Sequence, residues 1–360
     1  MDKNKSLIIA TGGTGGHIYP AIVTAEELRR RGWNVRFIGA FGPAGDKLAF
    51  RGFEYKDIVV KGFVSKDLKA MFSALICLLK ACISCAKDIS RARADVILGF
   101  GGYSSFPAVI AGKLMGVKTM IHEQNVCPGE ANKVLGGIVK KVAISFKDTQ
   151  SFFAGRDVVW TGYPMRSLDP GRSRKEVLRV FGLQQGRKTI LVFGGSQGSR
   201  AINHAVLDCL EMVSRDMPWQ VFHLAGKGGA EELRPRYAKL PFPFYLQDYM
   251  ENMSDAYAVA DLVIARSGAG TVTELGLLGV PAILIPYPYA NGHQEANAQV
   301  LARRSAAVII REKDLNPAML GDKIFSGLET GSSAEVLRQG LSKDIVSDAV
   351  IRLADEVELL

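Results

Sequence analysis

The sequence predicts an α/β protein of two domains, each containing a doubly wound parallel sheet covered by helices on both faces. Apolar runs typical of buried strands alternate with helical runs along the 360 residues. Such alternation is typical of parallel sheets that are buried on both faces. Two of the apolar runs, 7–10 and 189–193, lead into glycine-rich turns in opposite halves of the chain. Since 360 residues are also long for one hydrophobic core, two Rossmann-like domains are expected.

In the first half, helices are expected at 18–31 and 67–93. The earlier helix ends in three arginines followed by Gly32. Cations in the last turn and a glycine just beyond it are typical of a helix C-terminus. Strands are expected at 7–10, 34–39, 53–60, 96–99, 118–122, 142–145 and 158–161.

The segment Gly162-Tyr163-Pro164 predicts the domain boundary, because proline disfavours helix before it and glycine permits a turn. The first domain is accordingly placed at 1–163 and the second at 164–340. The segment 344–360 has apolar residues at helical spacing, and this C-terminal helix, within 341–360, can join the first domain. Strands of the second domain are expected at 189–193, 220–225, 244–246, 262–265, 282–285 and 307–310.

Composition favours an anionic partner and a reducing compartment. The net charge of +9 suits a phosphorylated substrate, a nucleic acid or an acidic lipid surface. Lysine and arginine form no long run interleaved with aromatic residues, which disfavours nucleic acid. The five cysteines are an odd number, and Cys82-x-x-Cys85 lies in an apolar helical stretch, where packed thiols are expected rather than a redox motif. The polar start and the short apolar run after it lack the length of a signal peptide.

Glycine-rich loops are the candidate binding elements. Each follows an expected strand and precedes a helix, which leaves backbone N–H groups that attract phosphate together with the helix dipole. The dinucleotide pattern G-x-G-x-x-G fails because Ile18 stands at its last position, and no P-loop pattern occurs. Glu274, expected in the first turn of its helix, can accept hydrogen bonds from two ribose hydroxyls or simply complement the helix dipole. The loops are 12–17, 99–105, 194–199 and 266–274.

Metal-dependent chemistry is not indicated by the sequence. His122-Glu123 is not followed by a second histidine at the zincin spacing, and the five histidines are scattered. The chain also contains no Asp-x-Asp pair, the usual clamp for a Mg²⁺–diphosphate. We therefore expect neither a resident metal nor a cofactor, and divalent-ion stimulation stays open.

Helix 67–93 combines an apolar stripe with surrounding basic residues. Its uncharged run, 70–79, has ten residues, far short of a membrane span. One interpretation is a helix packed on the core with solvated lysines. The other is a helix lying on an anionic bilayer, with its apolar face down and its lysines at the headgroups. The candidate membrane face comprises Phe72, Leu75, Ile76, Leu79, Lys69 and Lys80.

Five motifs, taken in order, resemble those of the MurG family of peptidoglycan N-acetylglucosaminyltransferases. They are Gly-Gly-Thr-Gly-Gly-His at 12–17, Gly-Gly-Tyr at 101–103, His-Glu-Gln-Asn at 122–125, Gly-Gly-Ser-Gln-Gly at 194–198 and Arg-Ser-Gly-Ala at 266–269. The resemblance runs from about residue 8 to residue 310. It implies a GT-B fold, in which two Rossmann-like domains face each other across a cleft.

The reaction implied by this resemblance is an inverting transfer. N-acetylglucosamine would move from UDP-N-acetylglucosamine to the C4 hydroxyl of the muramyl sugar of lipid I, giving lipid II. The implied location is peripheral, at the cytoplasmic face of the cell membrane. The implied partners are the two substrates, the anionic inner leaflet and other cell-wall synthesis proteins, with no nucleic acid.

The resemblance also implies roles for the matched residues. His17 would be the general base, with the alternative that it only donates a hydrogen bond to substrate. The helix N-termini at Ser196 and Thr271, together with Arg166, would offset the diphosphate charge. Residues implied to bind the donor are Thr14, Gly15, Gly16, Asn125, Arg166, Ser196, Met250, Ala269, Gly270, Thr271, Val272, Thr273, Glu274 and Gln294. Those implied to bind the acceptor pyrophosphate are Gly13, Gly101, Gly102, Tyr103 and Ser104.

Three positions depart from the family pattern, and three other functions compete with the transfer. Tyr163 stands where the family usually has Asn, Gly270 where a larger apolar residue is common, and His293 where Gln is seen. One rival is a UDP-N-acetylglucosamine 2-epimerase. Another is a lipid-pyrophosphate-binding protein on the same fold without catalysis, and the third is a glycolipid galactosyltransferase.

Overall fold

The computed structural model describes residues 5–13, 15–60, 68–212, 218–289, 291–329, 334–341 and 343–360. Thr14 and the side chain of Lys69, both named above, lie outside the described residues. The chain divides into two compact units, of which the first is Met1–Arg166 with Val346–Leu360 and the second is Ser167–Ile345. Each unit contains one parallel sheet with its own cores.

The first unit is built on a seven-stranded sheet with the order β3-β2-β1-β4-β5-β6-β7. All of its neighbouring strands run parallel, and Leu7 of β1 lies opposite Val35 on one side and Val96 on the other. The order reverses between β1 and β4, which is where ligands bind in open α/β sheets. The strands are β1 (Ser6–Gly12), β2 (Asn34–Ala40), β3 (Glu54–Asp57), β4 (Val96–Gly99), β5 (Lys118–Glu123), β6 (Lys141–Ile144) and β7 (Val158–Trp160).

Helices cover both faces of this sheet. Alternate residues of β1 enter different cores: Leu7 and Ile9 belong to one cluster, and Ile8 belongs to the other. Burial on both faces explains why the strand is a continuous apolar run. The helices of the unit are α1 (Gly15–Arg30), α2 (Gly45–Phe50), α3 (Leu68–Ala92), α4 (Phe106–Leu114), α5 (Glu130–Gly136) and the C-terminal helix α14 (Ala349–Glu358), with 3-10 turns at Gly42–Ala44 and Lys147–Phe153.

The C-terminal helix α14 packs against α1. Arg31, just after α1, places Nη1 2.6 Å from Asp355 Oδ1 and 2.8 Å from Glu358 Oε2. Leu353 and Val357 of α14 are buried in the core cluster that also holds residues of α1. The end of the chain therefore contributes to the core of the first unit.

Two elements differ by three residues at one end from the sequence-based expectation. The strand expected at 53–60 is only Glu54–Asp57, because it lies at the sheet edge with all four residues exposed. The helix expected from residue 18 begins at Gly15. His17 consequently stands in the first turn of α1 rather than in a loop before it.

The second unit repeats this architecture with a six-stranded parallel sheet of order β10-β9-β8-β11-β12-β13. Its order reverses between β8 and β11. Its strands are β8 (Lys188–Phe193), β9 (Trp219–Leu224), β10 (Phe244–Gln247), β11 (Leu262–Ala265), β12 (Ala282–Leu284) and β13 (Ala307–Ile309). Its helices are α6 (Arg174–Val180), α7 (Arg200–Glu211), α8 (Gly229–Tyr237), α9 (Met253–Val259), α10 (Ala269–Leu278), α11 (His293–Ala302), α12 (Pro317–Glu329) and α13 (Ala334–Leu341), with a 3-10 turn at Glu312–Asp314.

A buried polar network crosses the core of the second unit. His223 on β9 lies with Nδ1 2.7 Å from Tyr237 Oη and Nε2 3.1 Å from Asn203 Oδ1. Asn203 also donates to Ala225 O at 2.8 Å, which fixes its amide. Burial lowers the pKa of His223 to about 3, because a charged imidazole is costly in the core. The folded unit therefore holds His223 neutral across the physiological range.

We expect this burial to make the second unit acid-sensitive. Below the ordinary histidine pKa of 6.5, His223 binds a proton in the unfolded chain but stays neutral in the folded chain. The free energy of unfolding therefore falls as the pH drops from 6.5 towards 3. The gap in urea midpoint between wild type and His223→Gln should therefore narrow from pH 7 to pH 5. The control is His204→Gln, which removes a partly exposed histidine of α7 and is measured at the same two pH values. A gap for His223→Gln that narrows no more than that of the control would contradict the expectation.

Candidate functional site

Each unit gathers its glycine-rich loops at the point where its strand order reverses. In the first unit, Gly13 and the first turn of α1 follow β1, residues 100–105 follow β4 and residues 124–125 follow β5. In the second, residues 194–199 follow β8, residues 266–268 follow β11, and residues 285–289 with 291–292 follow β12. The carboxyl ends of adjacent parallel strands meet at one edge of a sheet, so each set lies together.

His17 begins a chain of hydrogen bonds that runs under the first of these edges. Its Nδ1 lies 2.9 Å from Gln124 Oε1. Gln124 is buried, and its Nε2 lies 3.1 Å from His122 Nδ1 and 3.0 Å from His122 O. His122 Nε2 in turn lies 2.9 Å from Gly162 O. Among the described residues, the Nε2 atom of His17 makes no hydrogen bond.

The inner histidine of this chain is neutral. Burial lowers the pKa of His122 to about 4, the hydrogen bond to Gly162 O opposes this shift, and nearby His17 adds a small lowering. His122 is fully buried on β5. It therefore acts in the site as an uncharged hydrogen-bonding group.

The loop after β4 lies against the outer edge of His17. Gly101 and Gly102 have φ of +84° and +76°, a backbone region that suits glycine. A Cβ on Gly102 would lie 3.7 Å from His17 Cδ2 and 3.8 Å from Nε2. The structure thus brings this loop and the candidate base together. Ser104 is buried nearby and Tyr103 is exposed.

Gly13 is placed differently from the other residues implied to bind the acceptor. Its N–H donates to Ala40 O at 2.8 Å, so this amide already has a partner. A Cβ on Gly13 would lie 2.4 Å from Phe41 O, which explains the glycine by close backbone approach. The binding role of Gly13 stays a prediction, and its own N–H is not available for it.

Asn125 is fixed by a buried carboxylate. Glu123 Oε1 accepts from Asn125 N at 2.8 Å, and Glu123 Oε2 accepts from Gly129 N at 3.1 Å and from Asn132 Nδ2 at 2.8 Å. The loop from 123 to 132 is therefore held by one side chain. Asn132 Oδ1 is buried without a hydrogen-bond partner in the described part of the chain.

Two residues after β7 reach the first turn of α1. Tyr163 Oη donates to Gly16 O at 3.4 Å. Pro20, four residues after Gly16, has no N–H to bond this carbonyl within the helix, so the tyrosine hydroxyl compensates for the proline. Exposed Arg166 stacks on the same turn, with Cζ 5.4 Å from the ring centroid of Tyr19.

Ser196 lies in a loop, and the expectation that it stands at a helix N-terminus is wrong. The helix α7 begins four residues later, at Arg200, and Ser199 caps it by accepting from Ile202 N. Gly195 and Gly198 both have positive φ and close a turn through the Gly198 N to Gly195 O bond of 2.9 Å. This turn leaves Ser196 exposed ahead of the helix.

Glu274 lies in the second turn of α10, which corrects the expectation of the first turn. The helix begins at Ala269, one residue after Gly268, so Glu274 is its sixth residue. Its carboxylate is held by Tyr257, whose hydroxyl donates to Glu274 Oε2 at 2.6 Å. Burial, with the nearby carboxylate, raises the pKa of Tyr257 well above its ordinary value, so the hydroxyl stays a donor.

The N-terminus of α10 has no side-chain cap among the described residues, because Gly268 occupies the N-cap position. The first-turn amides belong to Ala269, Gly270 and Thr271 and have no intrahelical acceptor. Val272 N and Thr273 Oγ1 are used inside the helix, by Gly268 O and Ala269 O respectively.

Gln294 and Arg266 tie the loops of the second unit together. Gln294 Oε1 accepts from Tyr287 N at 2.9 Å and Ser267 N at 3.2 Å, which leaves its Nε2 as the group available for a ligand. Arg266 is buried, donates to Ile285 O at 3.1 Å and Ser199 Oγ at 2.8 Å, and pairs with Glu312. Met250 is half-buried just before α9. Sequence reasoning assigned no role to Arg266, Tyr257 or Gln124.

The apolar stripe of α3 is exposed on the first unit. Phe72 is 65% exposed, Leu75 46%, Ile76 37% and Leu79 55%. The opposite face of the helix is buried, through Ala74, Ala81, Cys85 and Ile89. The helix therefore packs on the core through that opposite face, as the first interpretation expects, while the four apolar residues of the candidate membrane face lie exposed. None of the helices in the described ranges has both the length and the apolar composition needed to cross a membrane.

Comparisons with known proteins agree with this architecture. The model of the glycosyltransferase family 28 N-terminal domain matches residues 7–144, and that of the C-terminal domain matches residues 189–343. A protein of Halothermothrix orenii is 37% identical over 97% of this chain and 98% of its own length. One of Syntrophus aciditrophicus is 40% identical over 88% of each chain. Both are named UDP-N-acetylglucosamine–N-acetylmuramyl-(pentapeptide) pyrophosphoryl-undecaprenol N-acetylglucosamine transferase.

A solved structure extends the likeness to three dimensions. Acinetobacter baumannii MurG superposes with a TM-score of 0.80 at 27% identity, covering 99% of this chain and 100% of that one. The family resemblance and the fold class predicted from the sequence are thereby confirmed. The chain belongs to the MurG family of N-acetylglucosamine transferases within glycosyltransferase family 28, and it has the GT-B fold.

Proposed function

We propose that the chain moves N-acetylglucosamine from UDP-N-acetylglucosamine to the C4 hydroxyl of the muramyl sugar of lipid I, with inversion. The observation that carries this proposal is the near full-length similarity to relatives bearing that name, together with matched loops at both switch points. Inverting transfer is one in-line displacement with an oxocarbenium-like transition state. Such a step needs a base for the acceptor hydroxyl and stabilisation of the departing diphosphate.

His17 supplies the base in this proposal. Its Nε2 makes no hydrogen bond with the described residues and lies beside the loop at Gly101 and Gly102. A neutral imidazole there can take the hydroxyl proton as the C–O bond forms. The loop amides and Ser104 would hold the pyrophosphate of the acceptor close to that nitrogen.

The second unit holds the nucleotide in this proposal. The uncapped amides at Ala269, Gly270 and Thr271 and the exposed Ser196 would bind the diphosphate as it leaves. The implied contribution of Arg166, the last residue of the first unit before the chain enters the second, stays a prediction, and no resident metal is invoked. Glu274 would accept from the two ribose hydroxyls, with its carboxylate oriented by Tyr257.

A direct product assay tests this proposal. The full chain is incubated with UDP-N-acetylglucosamine and a short-chain lipid I analogue, and the product mass should rise by one N-acetylhexosamine. Formation of UDP-N-acetylmannosamine from the donor alone would favour the epimerase. Binding of both compounds without turnover would favour the non-catalytic alternative.

We also propose that the exposed stripe of α3 lies on the anionic inner leaflet at the cytoplasmic face of the membrane. Its apolar side chains would enter the interface, and Lys80 and Lys87 would meet anionic headgroups. A substrate with a polyprenyl chain requires an enzyme that works at such a surface. Other cell-wall synthesis proteins are further candidate partners on the same membrane.

Replacing both Leu75 and Leu79 with Asp should weaken binding to phosphatidylglycerol vesicles on the order of 10²-fold, because two apolar side chains are lost from the interface. Co-sedimentation of the protein with vesicles measures the effect. The matched control replaces Val180 and Met212, two exposed apolar residues of the second unit, with Asp. If the Leu75 and Leu79 variant still sediments like the control, another surface binds the membrane.

A further inference from the structure

We propose that Gln124 is a positioning residue that holds His17 in the tautomer with its proton on Nδ1, so that Nε2 is the atom able to accept the hydroxyl proton. This inference rests on the proposed role of His17 as base. In this proposal Gln124 determines which imidazole nitrogen of His17 accepts the proton.

The hydrogen-bond chain ends at a main-chain carbonyl, that of Gly162, which can only accept a hydrogen bond. Gly162 O lies 2.9 Å from His122 Nε2, so this nitrogen must carry the proton. Neutral His122 then has a lone pair on Nδ1. Its pKa of about 4 keeps it neutral at physiological pH.

The orientation of the Gln124 amide follows from this assignment. Its Nε2 faces His122 Nδ1 at 3.1 Å and His122 O at 3.0 Å, both acceptors, and uses one hydrogen for each. A flipped amide would place Oε1 against those two acceptors at the same distances. The buried site therefore fixes Oε1 on the opposite side, facing His17.

An oxygen at that place selects the tautomer of His17. Gln124 Oε1 lies 2.9 Å from His17 Nδ1 and can only accept, so Nδ1 must donate. The alternative tautomer would oppose two lone pairs across 2.9 Å, between buried Gln124 and half-buried His17. The neutral imidazole is therefore held with its lone pair on Nε2, the edge beside Gly102.

The backbone supports the same arrangement. Gly162 has φ of +85°, and a Cβ there would lie 2.6 Å from Val346 Cβ and 3.0 Å from Ala349 Cβ, so glycine lets the chain pass close under the start of α14. The next residue, Tyr163, bonds Gly16 O, the carbonyl that precedes His17. Two consecutive residues therefore support the arrangement. Gly162 accepts the hydrogen bond from His122, and Tyr163 holds the backbone just before His17.

Nitrogen NMR reads the tautomer without any assay of activity. In the full chain labelled with [¹⁵N]histidine, two-bond ¹H–¹⁵N correlations should show His17 with a protonated Nδ1 and a pyridine-like Nε2 at pH 8. The His17→Ala variant assigns the signal. A pyridine-like Nδ1 in the wild type would overturn the proposal.

Two substitutions then test the consequence for catalysis. Gln124→Met removes the acceptor and should lower kcat on the order of ten-fold with the KM for UDP-N-acetylglucosamine unchanged. Gln124→Glu keeps an acceptor for Nδ1–H on one oxygen, loses the donor to His122 on the other, and carries a negative charge that favours the protonated imidazole. The acidic limb of its kcat/KM profile should therefore move to higher pH.

The matched control is Gln220→Met, which removes another buried glutamine with several hydrogen bonds but lies in the second unit. It should leave the pH profile unmoved. Equal losses in both Gln124 variants without a shift of the acidic limb would reduce Gln124 to a structural role and overturn the proposal. Full activity of His17→Ala would instead show that His17 is not the base. The NMR measurement would still decide the tautomer of His17, because it does not depend on activity.

Discussion

Replacing His17 with alanine is expected to lower turnover on the order of 10²-fold or more, because the acceptor hydroxyl loses the group that takes its proton. The binding of UDP should be retained, since His17 belongs to the first unit and the proposed UDP contacts of α10 and the Ser196 loop lie in the second. The change should therefore appear in kcat. A radiolabelled transfer assay with the lipid I analogue measures turnover, and calorimetric titration measures UDP affinity.

The matched control for this substitution is His204→Ala. His204 is a partly exposed histidine on α7, 3.1 Å from Glu232, and no role in the site is proposed for it. Its loss should leave turnover close to that of the wild type. Near-normal turnover of His17→Ala would reduce His17 to a hydrogen-bond donor and reassign the base.

The second large effect is expected at Glu274. Alanine there removes the carboxylate proposed to bind two ribose hydroxyls, and hydrogen bonds to a charged group are worth about 1.5–3 kcal/mol each. UDP affinity should therefore fall by at least about 10²-fold. Binding of the acceptor analogue should change little. Titration of UDP into the variant gives the first quantity and titration of the analogue gives the second.

Two further variants sharpen that experiment. Tyr257→Phe removes only the hydroxyl that holds Glu274 Oε2, so its loss of UDP affinity should be smaller, about five- to ten-fold. Glu295→Ala removes a carboxylate of α11 that pairs with Arg311 and should leave UDP affinity unchanged. An unchanged affinity in Glu274→Ala would end the assignment of the ribose site.

Much of the fold could be predicted from the sequence because its signals are local. Two-sided burial makes β1 and β8 continuous apolar runs, and the glycine turns after them mark the switch points. The bounds of the edge strand β3 are not visible in the sequence, because a strand with one neighbour and four exposed residues has no sharp hydrophobic border. The start of α1 is equally hidden, because glycine has a poor helix propensity, although Gly15 and Gly16 lie in the first turn of the helix.

The supporting residues of the site could not be predicted, because they act across long sequence separations. Gln124 and His17 are 107 residues apart and meet only because β5 follows β4 and β1 in the sheet. Arg266 joins loops after three different strands, and Tyr257 reaches Glu274 from a neighbouring helix. A sequence motif shows which residues follow one another along the chain. It does not show which residues they contact, because those contacts depend on how the strands pair.

Gly268, the residue before α10, links the binding of an anion to the stability of the second unit. A Cβ at Gly268 would meet nothing within 4 Å, and its backbone is extended, so a serine would fit there and could cap the helix. Glycine forgoes that internal bond, so the first-turn amides of α10 have no side-chain cap among the described residues. A diphosphate bound there as proposed would serve as the cap, so that part of its binding free energy would also stabilise the folded second unit.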